Sequence, residues 1–163
     1  MEKRGFVVIT DRGGHLHDAL RLLDQMQVGP QALITTFGPD VAGLRARGFG
    51  SPILSIPQSF SWTGKFRWFN PFKFFTQFAL SVFYAIRLRP RAVISTGAGN
   101  VVLFCYLAWA LGAKIYHVDN LAQVVHPSIA GRALYPIASG FYVQWKDLLK
   151  CYGPKAQYQG WVL

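Results

Sequence analysis

Charge is scarce in this chain, and acidic charge scarcest. Asp, Glu, Lys and Arg together make up 15% of the 163 residues, against roughly 25% in ordinary soluble domains. Only 7 residues are acidic against 17 Lys and Arg, which leaves a net charge of +10. A nucleic-acid binder is usually basic and polar, yet here hydrophobic residues reach 52% and aromatics 15%. No helix-turn-helix, RRM or KH pattern accompanies the charge, so no nucleic-acid partner is expected. Apolar and basic together point instead to an anionic membrane surface. A basic soluble enzyme with a large core is the other reading of the same composition.

Cysteine is nearly absent. Cys105 falls in an apolar helix pattern and Cys151 at a helix end, without CxxC or metal-ligand spacing. Free thiols in a reducing compartment are expected. His117 and His126 lie close in sequence, but no HxxxH or Cys pairing supports a metal site, and no metal or cofactor is expected. The GxGxxG fingerprint and the Walker A lysine motif are both missing, which argues against nucleotide-triphosphate hydrolysis. The opening Met1–Gly5 passes into a strand pattern with no visible signal peptide, so a cytoplasmic chain is expected. Repeats, low-complexity tracts and linkers are also lacking.

What the chain does have is alternation. Strand-like runs fall at Phe6–Thr10, Ala32–Thr36, Pro52–Ile56, Ala92–Ser95, Lys114–Val118, Gly140–Val143 and Ala156–Gln159. Helix-like stretches lie between them at Leu16–Met26, Asp40–Arg47, Pro71–Leu88, Val101–Leu111, Ile129–Ala138 and Lys146–Tyr152. Short buried strands alternating with helices predict an α/β class, a parallel sheet covered on both faces in one Rossmann-like domain spanning residues 1–163.

Residues 60–90 stand out within it. Phe60, Trp62, Phe66, Trp68 and Phe69 interleave with Lys65 and Arg67, the mixture of a headgroup-level anchor. Asn70 suits an N-cap, Pro71 the first helical position, Arg87 and Arg89 the C-terminal end, and Pro90 a stop. At a period of 3.6, Phe72, Phe75, Ala79, Val82, Phe83 and Ile86 share one face, with Lys73, Gln77, Ser81, Tyr84 and Arg87 opposite. Trp68, Phe69, Phe72, Phe75, Val82, Phe83 and Ile86 are the expected membrane contacts. The uncharged stretch Phe74–Ile86 gives about 20 Å of helix at ~1.5 Å per residue, short of the ~30 Å of a bilayer core. An in-plane helix is expected rather than a spanning one; a core helix packed on the sheet is the competing reading. The uncharged Val101–Ala113 stretch reads as a buried crossover helix.

Three turns carry candidate chemistry. Asp11-Arg12-Gly13-Gly14-His15-Leu16 follows the first strand and opens a helix. Gly13 and Gly14 bring backbone N–H groups close to a ligand, the helix N-terminus favours an anion, and His15 is a natural general base near neutral pH. Ser95-Thr96-Gly97-Ala98-Gly99-Asn100 follows a central strand, and Thr96, Gly97, Gly99 and Asn100 are candidates to hold phosphate or a sugar hydroxyl. Asp119-Asn120 ends the strand Lys114–Val118, where a carboxylate sits over the crevice. Asp119 is expected to orient an acceptor hydroxyl or to fix the His15 tautomer, or else to cap a turn. Asn120 and Gln144 complete the candidate set, and His17 is expected at the surface.

These residues together resemble a known family. Gly13-Gly14-His15-Leu16, the Ser95–Gly99 turn, Ser128–Pro136 with Gly131-Arg132, and Gln144-Trp145…Tyr152…Tyr158-Gln159-Gly160 are similar to bacterial PssD/CpsF-type polysaccharide-biosynthesis proteins. Those are relatives of the membrane subunit of a bipartite dolichol-linked GlcNAc transferase, the Alg-fourteen-like family. The resemblance implies the acceptor-side half of a GT-B glycosyltransferase, similar to family 28 enzymes such as MurG. A separate catalytic partner subunit would supply most of the UDP-sugar site. This subunit would anchor the pair at the cytoplasmic face of the plasma membrane and present a polyprenyl-diphosphate-linked acceptor. The family commonly has Glu-Ser where this chain has Asp119-Asn120. Transfer would be inverting and metal-free, with His15 or Asp119 as base and the glycine turns holding diphosphate. A pure recruitment scaffold without catalytic residues is the alternative.

Overall fold

The computed structural model describes residues 5–63 and 66–160, the side chains of 61–68 excepted. Its strands are β1 (Phe6–Ile9), β2 (Ala32–Thr36), β3 (Ile53–Ile56), β4 (Phe60–Thr63), β5 (Phe66–Phe69), β6 (Ala92–Ser95), β7 (Lys114–Val118), β8 (Ala138–Tyr142) and β9 (Ala156–Gln157). Seven form one sheet in the order β3-β2-β1-β6-β7-β8-β9, every pair parallel. The order reverses between β1 and β6, which opens a crevice at the carboxyl ends of those strands.

Among the described residues six helices flank the sheet: α1 (Gly14–Met26), α2 (Pro39–Ala46), α3 (Pro71–Leu88), α4 (Val102–Ala110), α5 (Ile129–Leu134) and α6 (Leu149–Tyr152). Successive strand residues point to opposite faces, and the core divides accordingly. Val8 and Leu33 pack with Leu16, Ala19 and Leu23 of α1 and Leu44 of α2. Val7, Ile9, Ile34, Val93 and Ile115 pack on the other face with Ala85 of α3, Phe104 and Cys105 of α4, and Leu134 of α5.

Three elements differ from the sequence expectation. The helix expected over Ile129–Ala138 stops at Leu134 and tightens into a 3-10 turn at Tyr135–Ile137, because Pro136 has no N–H to continue the ladder. This starts β8 at Ala138 rather than Gly140. The aromatic lead-in, to which the sequence reading gives no strand, forms β4 and β5, which pair antiparallel with Phe60 opposite Phe69 and Ser61 opposite Trp68. Aromatic residues alternating with Ser, Thr and Arg suit a pleat. The side chains of Trp62, Lys65, Phe66, Arg67 and Trp68 lie outside the described set.

The third difference is the orientation of α3. Asn70 caps it by accepting from Lys73 N at 3.0 Å, and Pro71 starts it, as expected. The polar stripe, however, does not face water as a unit. Gln77 is 2% exposed and Ser81 0%, and with Leu80, Tyr84, Ala85 and Leu88 they form the inner row against the sheet and α4. Phe72, at 83%, and Phe75, at 69%, point outward, joined by Phe78, Phe83 and Ile86. Val82 is half-buried, so it contributes less to that outer row than expected. Phe69 is exposed and packs its ring on Phe60 and Phe74. No helix among the described residues is long and apolar enough to cross a membrane. Helix α4, expected to be core, buries Phe104, Cys105 and Ala108 but leaves Tyr106 and Trp109, and Leu111 just beyond it, exposed.

Candidate functional site

A cavity of about 530 Å³ opens at the carboxyl ends of β1, β6 and β7. Of the expected residues, His15, Gly97, Gly99, Asn100 and Asp119 line it. Thr96 and Gln144 are fully buried behind it, and they, Gly13, Gly14 and Asn120 are not among its lining residues.

His15 enters from the first turn of α1. Its Nδ1 lies 2.9 Å from the Thr96 carbonyl oxygen. A carbonyl only accepts, so Nδ1 carries the proton and Nε2 holds the lone pair. Nε2 has no partner among the described residues. The tautomer is thus set by the Thr96 backbone and not by Asp119, as the sequence allowed. Thr96 is itself fixed: its hydroxyl lies 2.8 Å from Thr10 Oγ1 and 3.1 Å from the His15 carbonyl oxygen, and its single proton donates to one or the other. Gly97 has φ +101, and a Cβ there would press on the imidazole, 3.0 Å from Cε1 and Nδ1. The glycine serves both conformation and closeness.

At the Gly13-Gly14 turn one of the expected donors is engaged within the protein. Gly13 has φ 74 and its N–H donates to Asp40 Oδ2 at 3.0 Å. A carboxylate from the first turn of α2 thus takes one of the N–H groups expected to meet phosphate. Asn120 is likewise committed to the protein. Its Nδ2 donates to Asp18 Oδ2 at 2.7 Å and its Oδ1 accepts from Ala122 N at 2.6 Å; with the proton on His15 Nδ1, the 3.2 Å approach of Asn120 Nδ2 to that nitrogen is a contact between two donors and not a hydrogen bond. Burial pushes the Asp18 carboxyl above its ordinary range, with His15, His17 and Arg21 working the other way. His17 is exposed, as expected.

Asp119 is buried at the end of β7. Oδ2 accepts from the Tyr152 hydroxyl at 2.6 Å, and Oδ1 accepts from Asn120 N at 3.2 Å and faces His117 Nε2 at 3.8 Å. Burial alone would raise its pKa. The His117 contact and charge, aided by Tyr152 and Ser128, prevail and hold the carboxyl below the usual range. A depressed carboxyl pKa contributes stability that is present above its unfolded value of ~3.9 and lost as pH falls through the folded value. Wild type is therefore expected to lose melting temperature below about pH 4 more steeply than Asp119→Asn, as thermal melts across a pH series would show.

Behind Asp119 stands a support of Tyr152, Ser128 and Gly131, residues that carry the family resemblance in the sequence but that the sequence reading does not place in the site. The Tyr152 hydroxyl accepts from Ser128 N at 2.9 Å, and Ser128 Oγ caps α5 by accepting from Gly131 N at 2.8 Å. Burial, then the Asp119 charge, drives the Tyr152 pKa upward, so the phenol stays a donor. A Cβ at Gly131 would land on the Tyr152 hydroxyl and the Ser128 side chain. Gly131→Ala is expected to cost about 2 kcal/mol and lower the melting temperature by roughly 6 °C, measurable by calorimetry.

Asp11, which heads the first candidate turn, is given no role by the sequence reading. It is buried, lines the cavity, and accepts from Asn100 Nδ2 at 2.8 Å, from Arg12 N at 2.9 Å and from the Thr36 hydroxyl. Its sequence signal is the one used for Asp119, a carboxylate just past the end of an apolar strand. Among the described residues, no group of His, Cys, Asp and Glu is arranged to hold a metal ion. Cys105 is buried, its thiol pushed up to about 12 by burial; Cys151 is exposed.

The fold has counterparts among solved structures. Acinetobacter baumannii MurG matches over 96% of this chain and 45% of its own, with a TM-score of 0.71 at 19% identity. Rickettsia bellii UDP-N-acetylglucosamine 2-epimerase matches over 97% and 45%, with a TM-score of 0.66 at 12% identity. The chain thus has the GT-B-like Rossmann fold and spans less than half of each of these proteins. In sequence it is 26% identical over 167 residues to the UDP-N-acetylglucosamine transferase subunit ALG14 of Candida albicans, covering 94% of this chain and 75% of the relative. The Homo sapiens subunit of that name is 24% identical over 180 residues, covering 98% and 83%. Residues 53–162 match the family described as oligosaccharide biosynthesis protein Alg14 like, and with more than half of its length inside that match, the chain belongs to the Alg14-like family.

Proposed function

We propose that this chain is the acceptor-side, membrane-docked subunit of a bipartite inverting glycosyltransferase. It would take a sugar from a UDP-sugar onto a polyprenyl-diphosphate-linked acceptor in polysaccharide biosynthesis, at the cytoplasmic face of the plasma membrane. One observation carries the reading: a cavity at the switch point of a parallel sheet sits on the same small domain as an outward row of phenylalanines on α3. A separate donor-binding GT-B half would cover the cavity and supply most of the UDP-sugar site.

The outer face of α3 continues onto α4, which packs beside it and exposes Tyr106 and Trp109. Arg87, Arg89, Arg91 and Lys114 are exposed at the C-terminal end of α3 and the adjoining strand starts. Aromatic side chains at the interface and cations beside anionic headgroups suit in-plane docking. The acceptor's prenyl chain would then lie in the bilayer under this face.

The cavity favours the sugar end of the acceptor over its diphosphate. Among the described residues its lining contains two carboxylates, Asp11 and Asp119, the amides of Gln58, Asn100 and Gln123, and no Lys or Arg. Ionised carboxylates accept from hydroxyls and repel phosphate, and amides both accept from and donate to hydroxyls. His15 is assigned as the base: Nε2 would take the proton of the acceptor hydroxyl as its oxygen attacks the anomeric carbon and the bond from that carbon to the UDP oxygen breaks, releasing UDP. Asp119, with its carboxyl already depressed and both oxygens engaged, is a poor proton acceptor at neutral pH and instead orients the acceptor.

A second reading is a recruitment scaffold whose partner does all the chemistry, and the commitment of Asp119 and Asn120 to protein contacts favours it. Titrating a short-chain polyprenyl-diphosphate sugar into this chain alone tests the acceptor-site reading. Saturable binding that moves the His15 imidazole resonances is expected. Binding of UDP-sugar in its place, with no response to the acceptor, would overturn it.

A further inference from the structure

We infer that Gln77 is a positioning residue that ties the outward-apolar helix α3 to the acceptor cavity, so that docking of the helix on a membrane sets the turn at residues 97–100. The inference rests on the membrane-docking reading above. A glutamine in the middle of the inner row of an otherwise apolar and small-residue contact is costly to bury unless both ends of its amide are satisfied. Here both are. Gln77 Oε1 accepts from the Ser59 hydroxyl and Gln77 Nε2 donates to the Asn100 carbonyl.

From there the contacts run to the cavity without a break. Asn100 Nδ2 donates to Asp11 Oδ2 at 2.8 Å, and Asn100 Oδ1 accepts from Phe60 N at 3.2 Å. Ser59 is held to the helix a second time, its carbonyl accepting from Asn70 N at 3.1 Å. Asn100 and Asp11 both line the cavity. On the buried face of α3, turned away from the exposed phenylalanines, a single amide therefore grips the backbone of the cavity wall. A shift of α3 along its axis or a roll about it must move the Asn100 carbonyl or break these bonds. Buried, fully satisfied amides have few intermediate arrangements, so the contact transmits position rather than absorbing it.

The test uses the full chain with vesicles of phosphatidylglycerol and phosphatidylethanolamine, reading amide hydrogen exchange at residues 97–101. In wild type, vesicles are expected to slow exchange there by about fivefold or more, the low end of coupling between sites. Gln77→Met, similar in length but unable to hydrogen-bond, is expected to float with the vesicles as wild type does and to lose the response. Exchange in β1 and β6 should stay unchanged, which a merely destabilised variant would not show. Ser59→Ala, which removes one of the two amide contacts, should show a reduced response, and it carries the test if Gln77→Met fails to fold. A floating wild type with no change at 97–101, or a Gln77→Met variant that keeps the change, overturns the coupling alone. A wild type that does not float overturns the docking reading beneath it.

Discussion

His15→Ala, in a complex with a donor-binding half, is expected to lower kcat by 10²–10⁴, the usual contribution of a positioned general base, with the KM for acceptor changed little. The reason is local. The Thr96 carbonyl fixes the proton on Nδ1, so Nε2 is the one nitrogen left to accept, and Gly97 leaves the ring its space. Steady-state transfer with varied acceptor separates the two constants. A large rise in KM at constant kcat would mean that His15 binds rather than deprotonates. Unchanged transfer in both His15→Ala and Asp119→Ala complexes would favour the recruitment scaffold.

The second large effect concerns the outer row of α3. Replacing Phe72, Phe75 and Phe83 together by Ser is expected to release the chain from anionic vesicles, weakening partition by more than about 100-fold. Each ring contributes roughly 1.5–3 kcal/mol when it leaves water, and three deepen the effect. All three are exposed in the free domain, so the melting temperature should hardly move, since surface changes usually stay within ~0.5 kcal/mol. Flotation and thermal melts on one preparation check both halves. Undiminished flotation, or collapse of the fold, would show that the row serves something other than a bilayer.

Much of this architecture was legible before any coordinates. The alternation of short apolar strands with helical stretches led to the parallel sheet, and Asn70, Pro71 and the Arg-rich end bounded α3. Local chemistry sufficed for those features. The site was less legible because its partners come from distant segments. That Gly13 N–H is taken by Asp40, or that His15 leans on Thr96, depends on how strands pair across the sheet, which periodicity does not encode. The α3 stripe misled for a related reason. A row holding Gln77 and Ser81 reads as water-facing, yet Ser59 and Asn100 satisfy the glutamine within the fold, which frees the phenylalanines to face outward. The β4–β5 hairpin was obscured by its own composition, because aromatic and basic residues mixed along a strand look equally like an interfacial anchor.

The measurement that bears most directly on the central claim is sugar transfer from radiolabelled UDP-sugar to a lipid-linked acceptor in vesicles, with this chain, with a donor-binding GT-B half, and with both. Product is expected only when both are present, and it should fall when His15 is replaced. Transfer by this chain alone would place the donor site within these 163 residues and contradict the bipartite account.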